Sequence, residues 1–229
     1  MEFKSTLQLK GVIIGMILGD GWLDWRGNNA RLEVSSVSKG YIEWKKKILE
    51  RITSVKMYER KNNRWSDKPL FRIQTKVHPI YSKLYPHLYH NRKRTIDEYS
   101  LKSISPLGLL IWYLDDGSCS YNKEKKNGMN LTIATNSYNM AEHLLMAKVL
   151  NDKFRLRFNI HQHFQRQRGK RYLHLTLKAI DKIRFYEMVF EPYLKEIPEE
   201  MKYKIPAKGD IIKIDKFCRE RNLYNEEIV

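Results

Sequence analysis

The sequence predicts an α+β fold built twice from one pattern. Residues 1–99 and 100–206 each read as helix, two strands, helix, two strands, helix, and residues 207–229 follow as a tail. Two apolar helical runs, GVIIGMILGDG at 11–21 and LLIWYLDDGS at 109–118, occupy matching places and each ends abruptly in an acid and a glycine. Between them, strand-length segments alternate apolar and polar residues, which predicts antiparallel sheets with one buried face.

Ser5 or Thr6 caps a first helix that runs to about Leu18. Within it Gly11, Gly15 and Gly19 recur at i, i+4 and i+8 and share one face. Each glycine costs roughly 1 kcal/mol of helix stability relative to alanine, so the stripe predicts close approach of a second backbone. Residues 22–26 and 31–36 flank the turn Gly27-Asn28-Asn29 as a hairpin. Residues 41–52 form an amphipathic helix with Lys45, Lys46 and Lys47 on its wet side. A second strand pair, 55–60 and 70–76, spans the polar loop KNNRWSDK. In its later strand Phe71, Ile73 and Thr75 point one way, and Arg72, Gln74 and Lys76 the other. Helix 79–88 and the basic run Asn91-Arg92-Lys93-Arg94 complete the first repeat.

The pattern then restarts. Ser105 caps and Pro106 opens the second motif helix, a favourable pairing. Strands 118–122 and 129–135 form a hairpin across KEKKNG, and 140–150 is a helix. Strands 154–164 and 172–177 form a second hairpin around 166–171, and 180–190 is the closing helix. The tail reads as a packing helix or an accessory clamp.

Bulk composition narrows the partner. The 229-residue chain has 43 Lys+Arg against 26 Asp+Glu, a formal charge of +17 with a pI near 9.7. Such an imbalance implies a polyanion. An anionic membrane surface is the competing reading, but it favours one concentrated basic amphipathic helix, and here the charge is spread throughout. No apolar run is long enough to span a bilayer, and MEFKSTLQLK lacks a signal-peptide core. Cys119 and Cys218 have no CxxC partner, which argues against a disulfide framework or a zinc site. The chain is expected to be soluble and intracellular.

Composition also points to the strand faces. Arg155, Arg157, Asn159, His161 and His163 alternate with apolar neighbours, and Tyr172, His174 and Thr176 do so in the partner strand. Arg, Asn, Gln and His are the types that read base edges in a major groove, whereas a merely solvated face would mix in Asp and Glu. The corresponding positions elsewhere are Asp24, Arg26, Arg31, Glu33, Arg72, Gln74 and Lys76 in the first repeat and Ser120, Asn122, Asn130 and Thr132 in the second. The three histidines could instead gather a metal, but no carboxylate or cysteine lies among them, and base or phosphate contact is the preferred reading.

The acids are placed against local electrostatics. A helix C-terminus carries partial negative charge, so a carboxylate there is disfavoured unless a cation is expected. Asp20 and Asp116 are both so placed. Paired GMILGDG and WYLDDGS helices in a duplicated αββαββα chain resemble the monomeric, two-repeat LAGLIDADG homing endonucleases, in the branch with mitochondrial intron enzymes. NRKRTI and EIPEEMKYKIP resemble the basic segments that close each repeat. The resemblance implies two antiparallel sheets forming a DNA-binding saddle, with the motif helices at the lobe interface. It implies cleavage of both strands of a long, asymmetric site, leaving short 3′ overhangs.

On this resemblance Asp20 and Asp116 hold divalent metal, Mg²⁺ or Mn²⁺, with Gly19 and Asp115 as further contacts, Asp115 mainly through its carbonyl. Lys204 matches the cation that steadies phosphate, with Arg94 and adjacent Lys93 as first-repeat equivalents, and Asn136 matches a water-ordering position. An RNA maturase acting on intron RNA, or a non-catalytic DNA-binding regulator, are alternatives on the same fold. Two intact acids favour the enzyme.

Overall fold

The computed structural model describes residues 6–60, 68–122, 128–165 and 169–224. Ser5 and most of the three polar hairpin loops expected from the sequence lie outside the described residues. Two compact units form, one of Met1–Asp115 with Lys195–Lys202, the other of Asp116–Leu194 with Tyr203–Val229. The duplicated pattern divides near residue 99, whereas compact packing divides at Asp115, because the second motif helix packs with the first.

In the first unit, α1 (Thr6–Leu18) leads into strands β1 (Gly21–Arg26) and β2 (Asn29–Ser36), then α2 (Lys39–Leu49). Strands β3 (Val55–Arg60) and β4 (Leu70–Thr75) complete an antiparallel sheet of order β1-β2-β4-β3. After α3 (Pro79–Leu88) comes a two-residue ladder of β5 (Tyr89–His90) and β6 (Lys93–Arg94). Its turn residues Asn91 and Arg92 both have positive φ, 49° and 61°, the backbone of a type I′ hairpin. A short helix unforeseen in the sequence, α4 (Glu98–Ser103), starts at a reciprocal Asp97/Ser100 capping box. Next is α5 (Pro106–Asp116), where Ser105 Oγ accepts from the Gly108 amide as the sequence predicts.

From Gly11 in α1 and up to Leu114 in α5 the helices are apolar all round, and such segments are stable only when buried on every side. Val12, Ile13, Ile14, Met16 and Ile17 have no exposed surface, nor have Leu109, Leu110, Ile111, Trp112, Tyr113 and Leu114. The two backbones meet directly: a Cβ on Gly15 would lie 2.5 Å from Gly108 Cα and closer still to its carbonyl. The expected close approach is therefore present.

The second unit repeats the sheet. Strands β7 (Gly117–Asn122) and β8 (Gly128–Ala134), helix α6 (Met140–Phe154), and strands β9 (Phe158–Gln165) and β10 (Lys170–Leu177) give the order β7-β8-β10-β9. Helix α6 opens with an Asn139/Glu142 capping box and continues a full turn past the expected end, to Phe154. Arg155 then caps it in the left-handed region, φ 57°. Phe154, Leu156 and Phe158 are buried, but as helix end, connector and strand start rather than as one strand. The closing helix is broken. A 3-10 turn (Ala179–Asp181), α7 (Lys182–Phe185), a π turn (Tyr186–Phe190) and another 3-10 turn (Glu191–Tyr193) replace it. Its first residues are tied sideways, Asp181 to Arg157 and Lys182 to the Met129 carbonyl, so the winding tightens there and widens beyond.

A 3-10 turn (Glu199–Lys204) precedes α8 (Lys208–Glu220), which buries Ile211, Ile214 and Cys218 beside α7. No helix among the described residues is long and apolar enough to cross a membrane.

Replacing Gly15 by valine forces the α1 and α5 backbones apart. The expected cost is about 3 kcal/mol or more, read as a lowered denaturation midpoint. Gly209→Ala, where a Cβ meets open space, should not lower it.

Candidate functional site

The site begins where α1 stops. Leu18 is the last helical residue, Gly19 is buried, and Asp20 is exposed in the turn into β1. The main chain around Asp20 is gripped from two sides. Arg94, delivered by β6, donates from Nη1 to the Gly19 carbonyl at 3.0 Å and from Nη2 to the Gly21 carbonyl at 2.6 Å. Gly19 lies just past the helix, so a cation on its carbonyl opposes the helix dipole, while the Gly21 carbonyl ties the same guanidinium to the start of β1. The Asp20 amide donates to Asp115 Oδ2 at 3.0 Å.

Asp115 reaches this amide because Gly19 leaves room. A Cβ on Gly19 would lie 2.6 Å from Asp115 Cβ. The Asp115 side chain has no exposed surface, and its Oδ1 accepts from Lys45 Nζ at 2.5 Å and from the Tyr41 hydroxyl at 2.7 Å. Lys45 is also wholly buried, 4.2 Å from the Tyr41 ring centre. This corrects the expectation that Lys45 lies on the wet side of α2. Tyr41, Ile42, Lys45, Ile48 and Leu49 are the buried residues of that helix, and their spacing is that of an apolar stripe. The phase of Lys45 was the signal, overlooked because it sits in a run of three lysines.

Of the expected metal contacts, the Gly19 carbonyl accepts from a guanidinium, and the Asp115 carboxylate accepts from an ammonium, a hydroxyl and an amide. Asp20 is exposed, and Asp116 is half-exposed as the last residue of α5. Arg94, expected as a phosphate cation, is instead the clamp on the first motif turn. Lys93 beside it is exposed, Lys204 is half-buried at the end of its 3-10 turn, and Asn136 is exposed in the turn after β8.

The first sheet presents a charge-paired face. Arg31 contacts Asp24 at 2.9 Å and Glu33 at 2.7 Å, and Arg26 contacts Asp24 at 2.7 Å. Gln74 donates to Glu33 at 2.6 Å, and Arg72 approaches Glu33 at 3.5 Å while lying over the Trp22 ring. The strand register explains the pairing, since Asp24 opposes Arg31 and Glu33 opposes Gln74. Lys76 is exposed just beyond β4.

The second sheet presents a face without carboxylates among its expected readers. Ser120 opposes Asn130, Thr176 opposes both Thr132 and Asn159, His174 opposes His161, and Tyr172 opposes His163. His163 Nδ1 and His174 Nδ1 are 3.3 Å apart. The His174 imidazole is held below its usual range by burial first, then by His163, His161 and buried His143. The Asn122 side chain lies outside the described residues.

Arg155 and Arg157 do not join this face. Arg155 is the α6 cap, and Arg157 precedes β9. The Arg157 guanidinium donates from Nε and Nη2 to the two carboxylate oxygens of buried Asp181, each at 2.8 Å, and Asp181 also accepts from the Arg157 amide at 2.8 Å. These bonds, with the attraction of the carboxylate, raise the Arg157 pKa. Arg157→Ala should therefore cost stability, about 3–5 kcal/mol from the charge left unpaired, measured by urea denaturation.

Comparison with known proteins places the family and the fold. Residues 10–202 match the LAGLIDADG DNA endonuclease family. A probable intron-encoded endonuclease 1 of Wickerhamomyces canadensis is 31% identical over 199 residues, 84% of this chain and 81% of that protein. The homing endonuclease I-WcaI, solved bound to its DNA recognition sequence, is similar with a TM-score of 0.70 and 28% identity, over 91% of this chain and 89% of that one. I-DmoI, solved in complex with DNA and Mn, shares the fold at a TM-score of 0.50 and 18% identity, over 82% of this chain and 98% of its own. Two acid-tipped apolar helices, two sheets of one topology and a family match across most of its length together make this chain a member of the LAGLIDADG DNA endonuclease family.

Proposed function

We propose that this protein is a site-specific endonuclease that hydrolyses both strands of a long, asymmetric DNA site, acting as a monomer. The observation that carries the reading is Asp20: an exposed carboxylate at the end of a buried apolar helix, its main chain gripped by Arg94 and Asp115. A protein does not fix a carboxylate there for stability, because the helix terminus repels it.

The donor set fits a hard divalent cation. Asp20 and Asp116 offer carboxylate oxygens alone, as Mg²⁺ or Mn²⁺ prefers when water and phosphate complete its shell. When bound, such an ion supplies Lewis acidity toward the scissile phosphate and lowers the pKa of water. The chain's own residues do the rest. Asp20 and Asp116 hold the ion, Lys204 and Lys93 place positive charge toward phosphate, and Asn136 orders water. The sheet faces hold the duplex through base and backbone contacts.

The test is a plasmid library of randomised sites incubated with purified protein and Mg²⁺ or Mn²⁺, with the cut ends sequenced. Recurrent cutting at one long site with short 3′ overhangs is expected. Absence of cutting, or cutting without site preference, would overturn the reading. On the recovered site, Asp20→Asn or Asp116→Asn should slow cleavage about 10²–10³-fold with DNA binding unchanged or tighter. Chelation by EDTA should abolish cleavage and leave binding in place.

Histidine titration supplies a further expectation. Phosphate favours imidazolium, so binding draws a proton onto His174, whose pKa lies below its usual range, and DNA affinity should rise as pH falls toward that lowered value. The depressed His174 pKa acts oppositely on folding. Its stabilising contribution is complete above the unfolded value and is lost as pH falls through the lower folded value. Fluorescence anisotropy across that range should show the affinity trend, and His163→Gln/His174→Gln should flatten it.

A further inference from the structure

We propose that Asp115, charge-balanced by Lys45 and steered by Tyr41, is a positioning residue that fixes the Asp20 main chain and so aims the Asp20 carboxylate. The inference rests on the nuclease reading for its functional consequence, but its structural content stands apart.

The fold does not require this ion pair. Buried pairs are costly to desolvate, and apolar replacements of both partners are often as stable. The duplicated pattern shows the alternative. Lys45 lies seven residues after the N-cap Ser38, and the residue seven after the N-cap Asn139 is Met146, wholly buried. Where the second motif has Asp115, the first has Gly19. A methionine and a glycine therefore serve the same places in the other repeat.

The geometry shows what the pair supplies. Asp115 divides its oxygens: Oδ1 takes Lys45 and Tyr41 from α2, and Oδ2 takes the Asp20 amide. The carboxylate is thus anchored on one side and exerts its hold on the other. Arg94 holds the carbonyls of the residues before and after Asp20, Gly19 and Gly21. The Gly19–Asp20 peptide is thus held at both its carbonyl and its amide, and the chain is held again one residue on, so the frame sets the direction in which the Asp20 side chain leaves the backbone. A carboxylate that must meet an ion and a phosphate needs that direction, since misplacement of about 1 Å can cost 10²-fold in rate.

Two double variants separate positioning from structural support, and neither leaves a lone buried charge. Lys45→Met/Asp115→Asn keeps an oxygen acceptor for the Asp20 amide, and Lys45→Met/Asp115→Ala removes it. Three quantities are read: single-turnover cleavage, DNA affinity, and hydrogen exchange of the Asp20 amide by NMR in protein free of metal and DNA. The alanine variant should cleave about 10–100-fold more slowly with DNA affinity within about twofold, and the asparagine variant should recover to within about threefold of the parent. Protection of the Asp20 amide should be lost in the alanine variant alone. Tyr41→Phe, which removes only the hydroxyl donor, should slow cleavage to a smaller degree. Equal slowing of both double variants in step with lost stability would overturn the proposal, as would full protection and full rate in the alanine variant. If the parent protein cuts nothing, the nuclease reading fails, and the exchange measurement still decides whether Asp115 holds Asp20.

Discussion

The contact on which the rest depends is backbone against backbone, Gly15 of α1 on Gly108 of α5. From Gly11 in α1 and up to Leu114 in α5 there is no polar side to offer water, so each segment must be enclosed, and each encloses part of the other. A side chain at Gly15 would lever the helices apart. It would also withdraw the end of α5 from the turn after α1, and with it the carboxylate that binds the Asp20 amide. The packing of two apolar helices and the placement of the Asp20 main chain are therefore one constraint.

Charge inside the protein serves the same end. A chain of net charge +17 buries Lys45 and Lys182, and buries Asp181 as well. Each has a defined partner: Asp115 for Lys45, the Met129 carbonyl for Lys182, Arg157 for Asp181. Burial makes these interactions directional, because an ion without water must keep the partners it has. They pin three points, the first motif turn, the second strand of the second sheet and the approach to β9. All three support exposed groups, which can stay poised only if what lies beneath them does not shift.

What the sequence made legible were features that repeat or that obey a local rule. The duplicated order, the glycine stripe, the Ser105-Pro106 start and the alternating faces of β4, β8 and β10 all emerged as expected. What stayed hidden was decided by distant partners. Nothing near Arg157 announces Asp181, and the apolar alternation of Phe154, Leu156 and Phe158 suits a strand as well as the helix end it proves to be. Arg155 concealed that end because a left-handed cap is usually glycine or asparagine. Arg94 looked like a phosphate ligand because charge is visible in sequence and the carbonyls it binds are not. Lys45 differs in kind, since its helical phase placed it in the apolar stripe and only its lysine neighbours argued otherwise.

The two sheets share a strand order yet have unlike faces, and the difference has an energetic consequence. On the first, Arg31, Arg72 and Gln74 already bond Asp24 and Glu33. A base contact by these groups replaces a bond instead of adding one, so its net strength is the difference between a guanidinium–carboxylate pair and a guanidinium–base pair. Such a face gains little from binding any sequence and loses much from binding a wrong one, because a mismatched base leaves an arginine without either partner. On the second, serine, threonine, asparagine and histidine have no such carboxylate partners among the expected readers, so on the proposed reading a base contact there would replace water. The hydroxyl hydrogens of that face turn to donor or acceptor as a partner requires, so on the proposed reading it would be the more tolerant of the two. A duplicated scaffold thus carries one charge-paired face and one face of hydroxyls, amides and imidazoles through side chains alone, and on the proposed reading these would be a stringent half and a permissive half of the same reader.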